Sequence, residues 1–175
     1  MKSVLISIQP YWVFLIIAKA MGWNAREKII EVRKNFPKDE NWSKIVKIYC
    51  SKNKQAFAKI PKEYQPFMEK FLGKVVGEFV CDTVVVDKTF GHDALFNAAS
   101  CMGDAEIAAY CTNEKMYGWH ISNLVIYDKP RELGEFRKPI ECHRGKDREN
   151  CVGCWDCEIT HPPQSWCYVE SEVTE

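Results

Sequence analysis

Glu27-Lys28-Ile29-Ile30-Glu31-Val32-Arg33 is the stretch on which the fold reading turns. Its alternation puts Ile30 and Val32 on one face of a strand and Glu31 and Arg33 on the other, so a period of two pairs a carboxylate with a guanidinium. A regular strand would send Lys28 to the face opposite Glu31. Lys28 therefore joins the pair only from a turn or bulge ahead of the strand. Taken alone the pairing is ordinary, because exposed ion pairs on strand faces are common and are worth about 0–1 kcal/mol.

Working outward, Val4, Ile6 and Ile8 alternate with Ser3 and Ser7 as a half-buried first strand, and Tyr11 to Met21 reads as a short helix opened by Pro10 and stopped by Gly22. After a loop at Pro37, Asp39 and Asn41, a third strand carries Val46, Ile48 and Cys50. Tyr64 to Phe71 has one or two helical turns. Lys74 to Val86 is the longest strand expected, with Val75, Phe79, Cys81, Thr83 and Val85 on one side and Glu78 and Asp82 on the other. Asp104 opens a short helix through Tyr110, and strands follow at Trp119 to Tyr127 and Trp166 to Val169. Five or six strands among short helices, without regular βαβ alternation, predict an α+β fold built on a small mixed β-barrel. At 175 residues the chain fits one domain spanning 1–175.

Composition narrows the function. Lys plus Arg equals Asp plus Glu at 24 each, so no global field attracts phosphate backbones and nucleic-acid binding has to come from a local patch. The apolar run Tyr11 to Ala18 follows Gln9-Pro10 and is far shorter than the ~20 residues of a spanning helix. It reads as part of the fold rather than a leader, which predicts a cytoplasmic protein with no membrane partner.

Five of the nine cysteines, Cys142, Cys151, Cys154, Cys157 and Cys167, fall at the C-terminal end. The first four read as C-x8-C-x2-C-x2-C with His143 and His161 nearby, and thiolates two residues apart converge on one tetrahedral ion. A structural zinc site in an insert over 137–161 is the reading adopted. Ferredoxin-like iron-sulfur ligation with His161 in place of the fourth Cys, and a reduced loop without metal, stand beside it. Trp155 packs that insert onto the barrel in this reading. Cys50, Cys81, Cys101 and Cys111 sit in apolar or small-residue stretches and are read as core.

The Lys-x-x-Glu-x-Arg element at Lys28, Glu31 and Arg33, followed by Ile48-Tyr49-Cys50-Ser51-Lys52 and then by Pro162-Pro163-Gln164-Ser165-Trp166-Cys167-Tyr168-Val169, resembles the ASCH domain of the PUA-like superfamily. Residues 1–52, 74–86, 119–136 and 162–170 follow the family outline, and 53–73, 87–118 and 137–161 are elaborations on it. The Pro-Pro-Gln-Ser-Trp-Cys-Tyr-Val ending is similar to that of small ASCH proteins from bacteria and their phages.

The resemblance implies a cleft between barrel and helix that takes RNA, a single-stranded nucleic acid, a nucleotide or a modified nucleoside. Lys28, Glu31, Arg33, Ser51, Lys52, Gln164 and Ser165 are its expected ligand-binding residues. Lys supplies a point charge for phosphate, Arg a planar donor fork and Glu an acceptor for base or ribose donors. Lys54 adds charge beside Lys52, and Trp166 is read as core before stacking platform.

Two further functions stay open. Some ASCH proteins resemble amidohydrolases of modified cytidine that use a Lys, a Thr three residues later and a Glu. Lys28 matches the Lys, Glu31 stands where the Thr would be, and Glu78 is an unaligned candidate for the acid. Hydrolysis of RNA or a modified nucleoside with Lys28 or Glu31 as general base is the enzymatic alternative. No histidine lies by sequence beside a Ser or Cys nucleophile, His92 and His120 reading as loop or barrel residues. A phage-type protein-interaction module, contacting a protein partner through the Cys-rich insert, is the third.

Overall fold

A computed structural model describes residues 2–88, 93–111, 115–139 and 157–171. Among them, eight strands fall into two sheets. The larger contains β1 (Lys2–Ile8), β3 (Trp42–Cys50), β4 (Val75–Val80), β7 (Ser122–Arg131) and β8 (Trp166–Glu170) in the order β7-β4-β3-β1-β8. The smaller contains β2 (Ile30–Arg33), β5 (Val84–Asp87) and β6 (Met116–His120) in the order β2-β6-β5. The helices are α1 (Pro10–Ile17), α2 (Lys54–Ala58), α3 (Gln65–Glu69), α4 (Ala94–Ser100) and α5 (Asp104–Cys111). The α+β class stands, but the strands do not close into one barrel.

The reason lies in a ribbon that both sheets share. Lys74 to Val86, expected as one strand, breaks at Cys81–Thr83 into β4 and β5, and the 119–127 stretch breaks at Ile121 between β6 and β7. β4 pairs with β7 in the large sheet and β5 with β6 in the small one. The register shifts between Glu78 and Val80, and Asn123, two residues after the break, takes φ 46°. An extra residue on one strand of an antiparallel pair bends it and increases its twist, which turns the ribbon from one sheet into the next.

β1 is central, not half-buried. It runs parallel to β3 and antiparallel to β8, so both its edges are paired, and side chains on both of its faces are buried. Val4, Ile6 and Ile8 enter the main core with Val46, Ile48 and Phe79, while Leu5 packs on the other face with Tyr49, Val75, Phe136 and Val169. α1 covers the main face and buries Val13 through Ile17, five apolar side chains in succession. Each is worth about 1.5–3 kcal/mol of transfer free energy, which accounts for a helix apolar nearly all round. Pro10 starts it, and it ends four residues before the expected Met21, with Gly22 at φ 66° closing the turn.

α4 was not foreseen from the pattern. Asp93 Oδ1 accepts the Leu95 and Phe96 amides at 2.9 and 3.1 Å to cap its start, and Cys101 ends it at φ 58°. Its Phe96 ring lies over Gly118, 2.9 Å from where a Cβ would stand, so the missing side chain brings α4 down onto β6. No described helix is long and apolar enough to cross a membrane.

The ends of the Cys-rich stretch return to the large sheet. Arg137 and Glu158 form an antiparallel bridge, the Lys138 amide donates to the Cys157 carbonyl at 2.8 Å, and the Glu170 amide of β8 donates to the Arg137 carbonyl at 2.9 Å. Phe136 and Ile159 thereby join the cluster on the second face of the sheet. Cys142, Cys151, Cys154 and Trp155 lie outside the described residues, as do His92 and His143.

Candidate functional site

A cleft of about 360 Å3 opens between the two sheets, and its floor is the trio singled out in the sequence. Ile30 and Val32 pack into the core of α4 and α5, Val32 also edging the cleft, and Glu31 and Arg33 face the cleft, in line with period two. Lys28 enters from the segment before β2. Its amide donates to the Leu15 carbonyl at 3.3 Å, the next amide, of Ile29, donates to Ala99 at 2.8 Å, and the Ile29 carbonyl accepts from Ile121 at 2.9 Å. Contacts from α1, α4 and the ribbon thus fix this backbone and aim Lys28 inward.

All three charges are largely withdrawn from water, the Lys28 and Glu31 side chains being 2% and 4% exposed and that of Arg33 12%. Lys28 Nζ donates to the Ser100 carbonyl at 2.7 Å, at the C-terminal end of α4 where the helix dipole favours a cation. It lies 3.5 Å from Glu31 Oε2 and 4.9 Å from the centroid of the Trp12 ring. Arg33 Nη2 is 3.1 Å from Glu31 Oε1 and donates to the Ser7 carbonyl at 2.7 Å, linking the small sheet to the large one. Burial pulls the Lys28 ammonium below the ordinary lysine range, against the opposing pull of Glu31. Glu31 Oε2 and Arg33 Nε make no hydrogen bond, so the trio is not internally saturated.

The walls carry neutral polar groups. Ser7 and Gln9 come from the end of β1, and Ser51 and Asn53 from the end of β3. Because β1 and β3 are parallel, both strands deliver their C-terminal ends to the same rim. Gln164 stands before β8, and Met102 and Tyr110 close the side formed by α4 and α5.

Five of the seven expected binding residues, Lys28, Glu31, Arg33, Ser51 and Gln164, therefore line one cleft. The other two do not. Lys52 turns its stem toward Gly73, Cε lying 2.2 Å from where a Cβ on that glycine would stand, and Ser165 contributes its carbonyl to the Ser7 amide at 2.9 Å. Trp166 is half-buried against the core, its indole nitrogen donating to Asn35 Oδ1 at 2.7 Å, in agreement with a packing role. Trp12, Asn53 and Tyr110 were missed. The strand-end dipeptide Gln9-Pro10 hints at the first of these, and no pattern marks Tyr110.

Glu78 lies across from Lys47 in the β3/β4 register, on the face that carries Phe136, and so is no acid for this cleft. His120 Nδ1 meets Asp82 Oδ1 at 2.6 Å at the bend of the ribbon, outside the cleft lining. Cys50, Cys81 and Cys101 are buried, as core cysteines should be, and burial lifts the first two thiols to about 12 and about 11. Among the described residues no group of three or more His, Cys, Asp or Glu is placed to hold a metal ion. Of the four expected zinc ligands, only Cys157 is among them, and it is buried at the neck of the insert.

No protein-family model matches the chain, and no curated protein matches it. Solved structures do. The ASCH protein of Zymomonas mobilis superposes with a TM-score of 0.51 at 16% identity, over 95% of this chain and 87% of that one. A Tyr-to-Phe mutant of the same protein gives 0.50 at 15% identity, over 95% and 89%, and a Ser-to-Ala mutant gives 0.50 at 16%, over 95% and 87%. The chain has an ASCH-like fold.

Proposed function

We propose that this protein binds RNA or a nucleotide, admitting one nucleoside unit, ordinary or modified, into the cleft between its sheets. The observation that carries the reading is the floor itself: a buried Lys28, Glu31 and Arg33 set held in place by contacts from α1, α4, β1 and the ribbon, yet left with a carboxylate oxygen that only the Lys28 ammonium approaches, at 3.5 Å, and a guanidinium nitrogen without a hydrogen bond. Desolvated charges are expensive, and a set that its own protein leaves incomplete is worth keeping where a ligand completes it. The cleft volume falls at the lower end of small-molecule sites, ~300–1,000 Å3, which suits one nucleotide. Amide and hydroxyl groups on its walls match the donors and acceptors of a base edge or ribose, and Trp12 and Tyr110 offer aromatic surface. The general association of ASCH proteins with RNA points the same way.

Titration of nucleoside monophosphates and short oligoribonucleotides against wild type and Arg33→Ala tests this. Affinity should fall at least tenfold in the variant while it stays folded. Equal affinity in both proteins defeats the reading.

Hydrolysis of RNA or a modified nucleoside is the second reading, and the burial of Lys28 favours it, because a lysine pulled below its usual range holds more of the neutral, proton-accepting form. Turnover of an RNA and nucleoside panel by wild type, absent in Lys28→Ala, is its signature. For the C-terminal stretch we propose a structural zinc ion held by Cys142, Cys151, Cys154 and Cys157. The C-x8-C-x2-C-x2-C spacing supports it, as does a neck at Arg137 and Glu158 that brings both ends of the stretch together.

A further inference from the structure

We propose that the unit taken into the cleft belongs to a single-stranded RNA whose adjoining backbone leaves over Tyr11 and the Lys54–Lys59 segment. This deepens the reading above and rests on it. Residues 52–62 hold Lys52, Lys54, Lys59 and Lys62 and no Asp or Glu, a local excess of positive charge in a chain whose formal charge is zero. All four lysines are exposed.

The segment starts at the rim of the cleft. Asn53 both lines the cleft and caps α2, its Oδ1 accepting the Ala56 amide at 3.0 Å, so Lys54 is the first residue outside. At the other end of α2, Lys59 Nζ lies 5.9 Å from the centroid of the Tyr11 ring. That ring meets the Trp12 ring edge-on at 5.1 Å between centroids, and Trp12 lines the cleft. Cleft, Trp12, Tyr11 and Lys59 are therefore contiguous. Lys59 also faces Glu106 of α5 at 3.7 Å, but both side chains are open to solvent, where such a pair is weak and gives way to a phosphate.

The chemistry divides accordingly. The cleft offers hydrogen-bonding groups that read a base or sugar, whereas the strip outside offers cations for phosphates and a ring on which a neighbouring base stacks. A free nucleotide uses the cleft alone. A strand uses both, so affinity should rise with length.

Fluorescence anisotropy with short oligo-U, oligo-A and oligo-C RNA, set against calorimetry with UMP, AMP and CMP, tests the path. The best oligomer should bind about tenfold or more tighter than its own mononucleotide. A Lys54→Gln/Lys59→Gln double variant should lose most of that gain, make the slope of log K against log salt shallower by about 1, and bind the mononucleotide as wild type does. Tyr11→Ala should cost the oligomer about fivefold or more. Equal affinity for oligomer and mononucleotide in wild type, or an undiminished gain in the double variant, overturns the strand path. If mononucleotide binding still depends on Arg33 in that event, the cleft reading survives; if no probe binds, both fall.

Discussion

Among the described residues, two places bury a lysine against a glutamate, and they end differently. On the second face of the large sheet, Lys47 and Glu78 are direct cross-strand partners: Nζ donates to Oε2 at 2.9 Å, and the Tyr127 hydroxyl donates to the same oxygen at 2.7 Å. Phe136 lies against this lysine. In the cleft, Lys28 stands 3.5 Å from Glu31 Oε2, which accepts no hydrogen bond, and Arg33 Nε is likewise unbonded. The first cluster satisfies its carboxylate from within and is architecture. The second leaves hydrogen-bonding groups unmet beside a cavity. Burial of charge alone does not separate the two clusters; incomplete satisfaction next to open volume does.

The largest expected effect that sharpens this contrast is on stability. Glu78→Ala removes the carboxylate facing Lys47, and with Glu78 partly exposed the expected loss is about 2 kcal/mol in urea unfolding, with nucleotide affinity unchanged. A loss under about 0.5 kcal/mol, or weakened binding, would erase the distinction. Arg33→Ala should act on binding, lowering affinity at least tenfold, about 1.4 kcal/mol; its lost contacts with Glu31 and Ser7 lower stability as well, but unfolding should remain one cooperative transition.

Next comes a pH dependence. The folded Lys28 has a lowered pKa, so between that value and its ordinary 10.5 the unfolded chain binds more protons, and Lys28's contribution to stability rises with pH across that window. The unfolding free energy of wild type minus that of Lys28→Met should therefore increase toward pH 10.5. A flat or falling difference would mean that Lys28 does not carry the burial cost assigned to it. Taking the difference removes the opposing trend of Cys50, Cys81 and Cys167, whose raised thiols make stability fall above pH 9.

The smallest effect expected at the cleft is that of metal removal. Purified protein should contain about one zinc per chain, and chelation should expose Cys142, Cys151 and Cys154 to iodoacetamide at pH 8. Cys50 and Cys167, lifted to about 12 and about 11, should stay unmodified, and Arg33-dependent binding should persist. Zinc well below stoichiometry ends the metal reading. Loss of binding on chelation would show that the Cys-rich stretch and the cleft are coupled.

Local pattern determined a good deal. Alternation at Ile30 to Arg33 settles which side chains share a face, and the odd spacing of Lys28 requires entry from a preceding turn, which the backbone contacts at Leu15, Ala99 and Ile121 provide. Pro10 starts α1 and Gly22 ends its closing turn for reasons contained in those residues. Tertiary structure alone decided the rest. The bend of the ribbon at Cys81–Thr83 and Ile121 splits one expected barrel into two sheets, because twist is relieved between paired strands and leaves no signature in either one. Glu78 and Glu31 read alike as strand carboxylates, yet one meets Tyr127 and the other a cavity. Tyr110 lines the cleft and the Ser100 carbonyl meets Lys28, both from helices distant in sequence. Which groups are satisfied and which are left waiting depends on partners that periodicity cannot name, so the Lys28, Glu31 and Arg33 trio is legible as a cluster in the sequence and as an open site only in the fold.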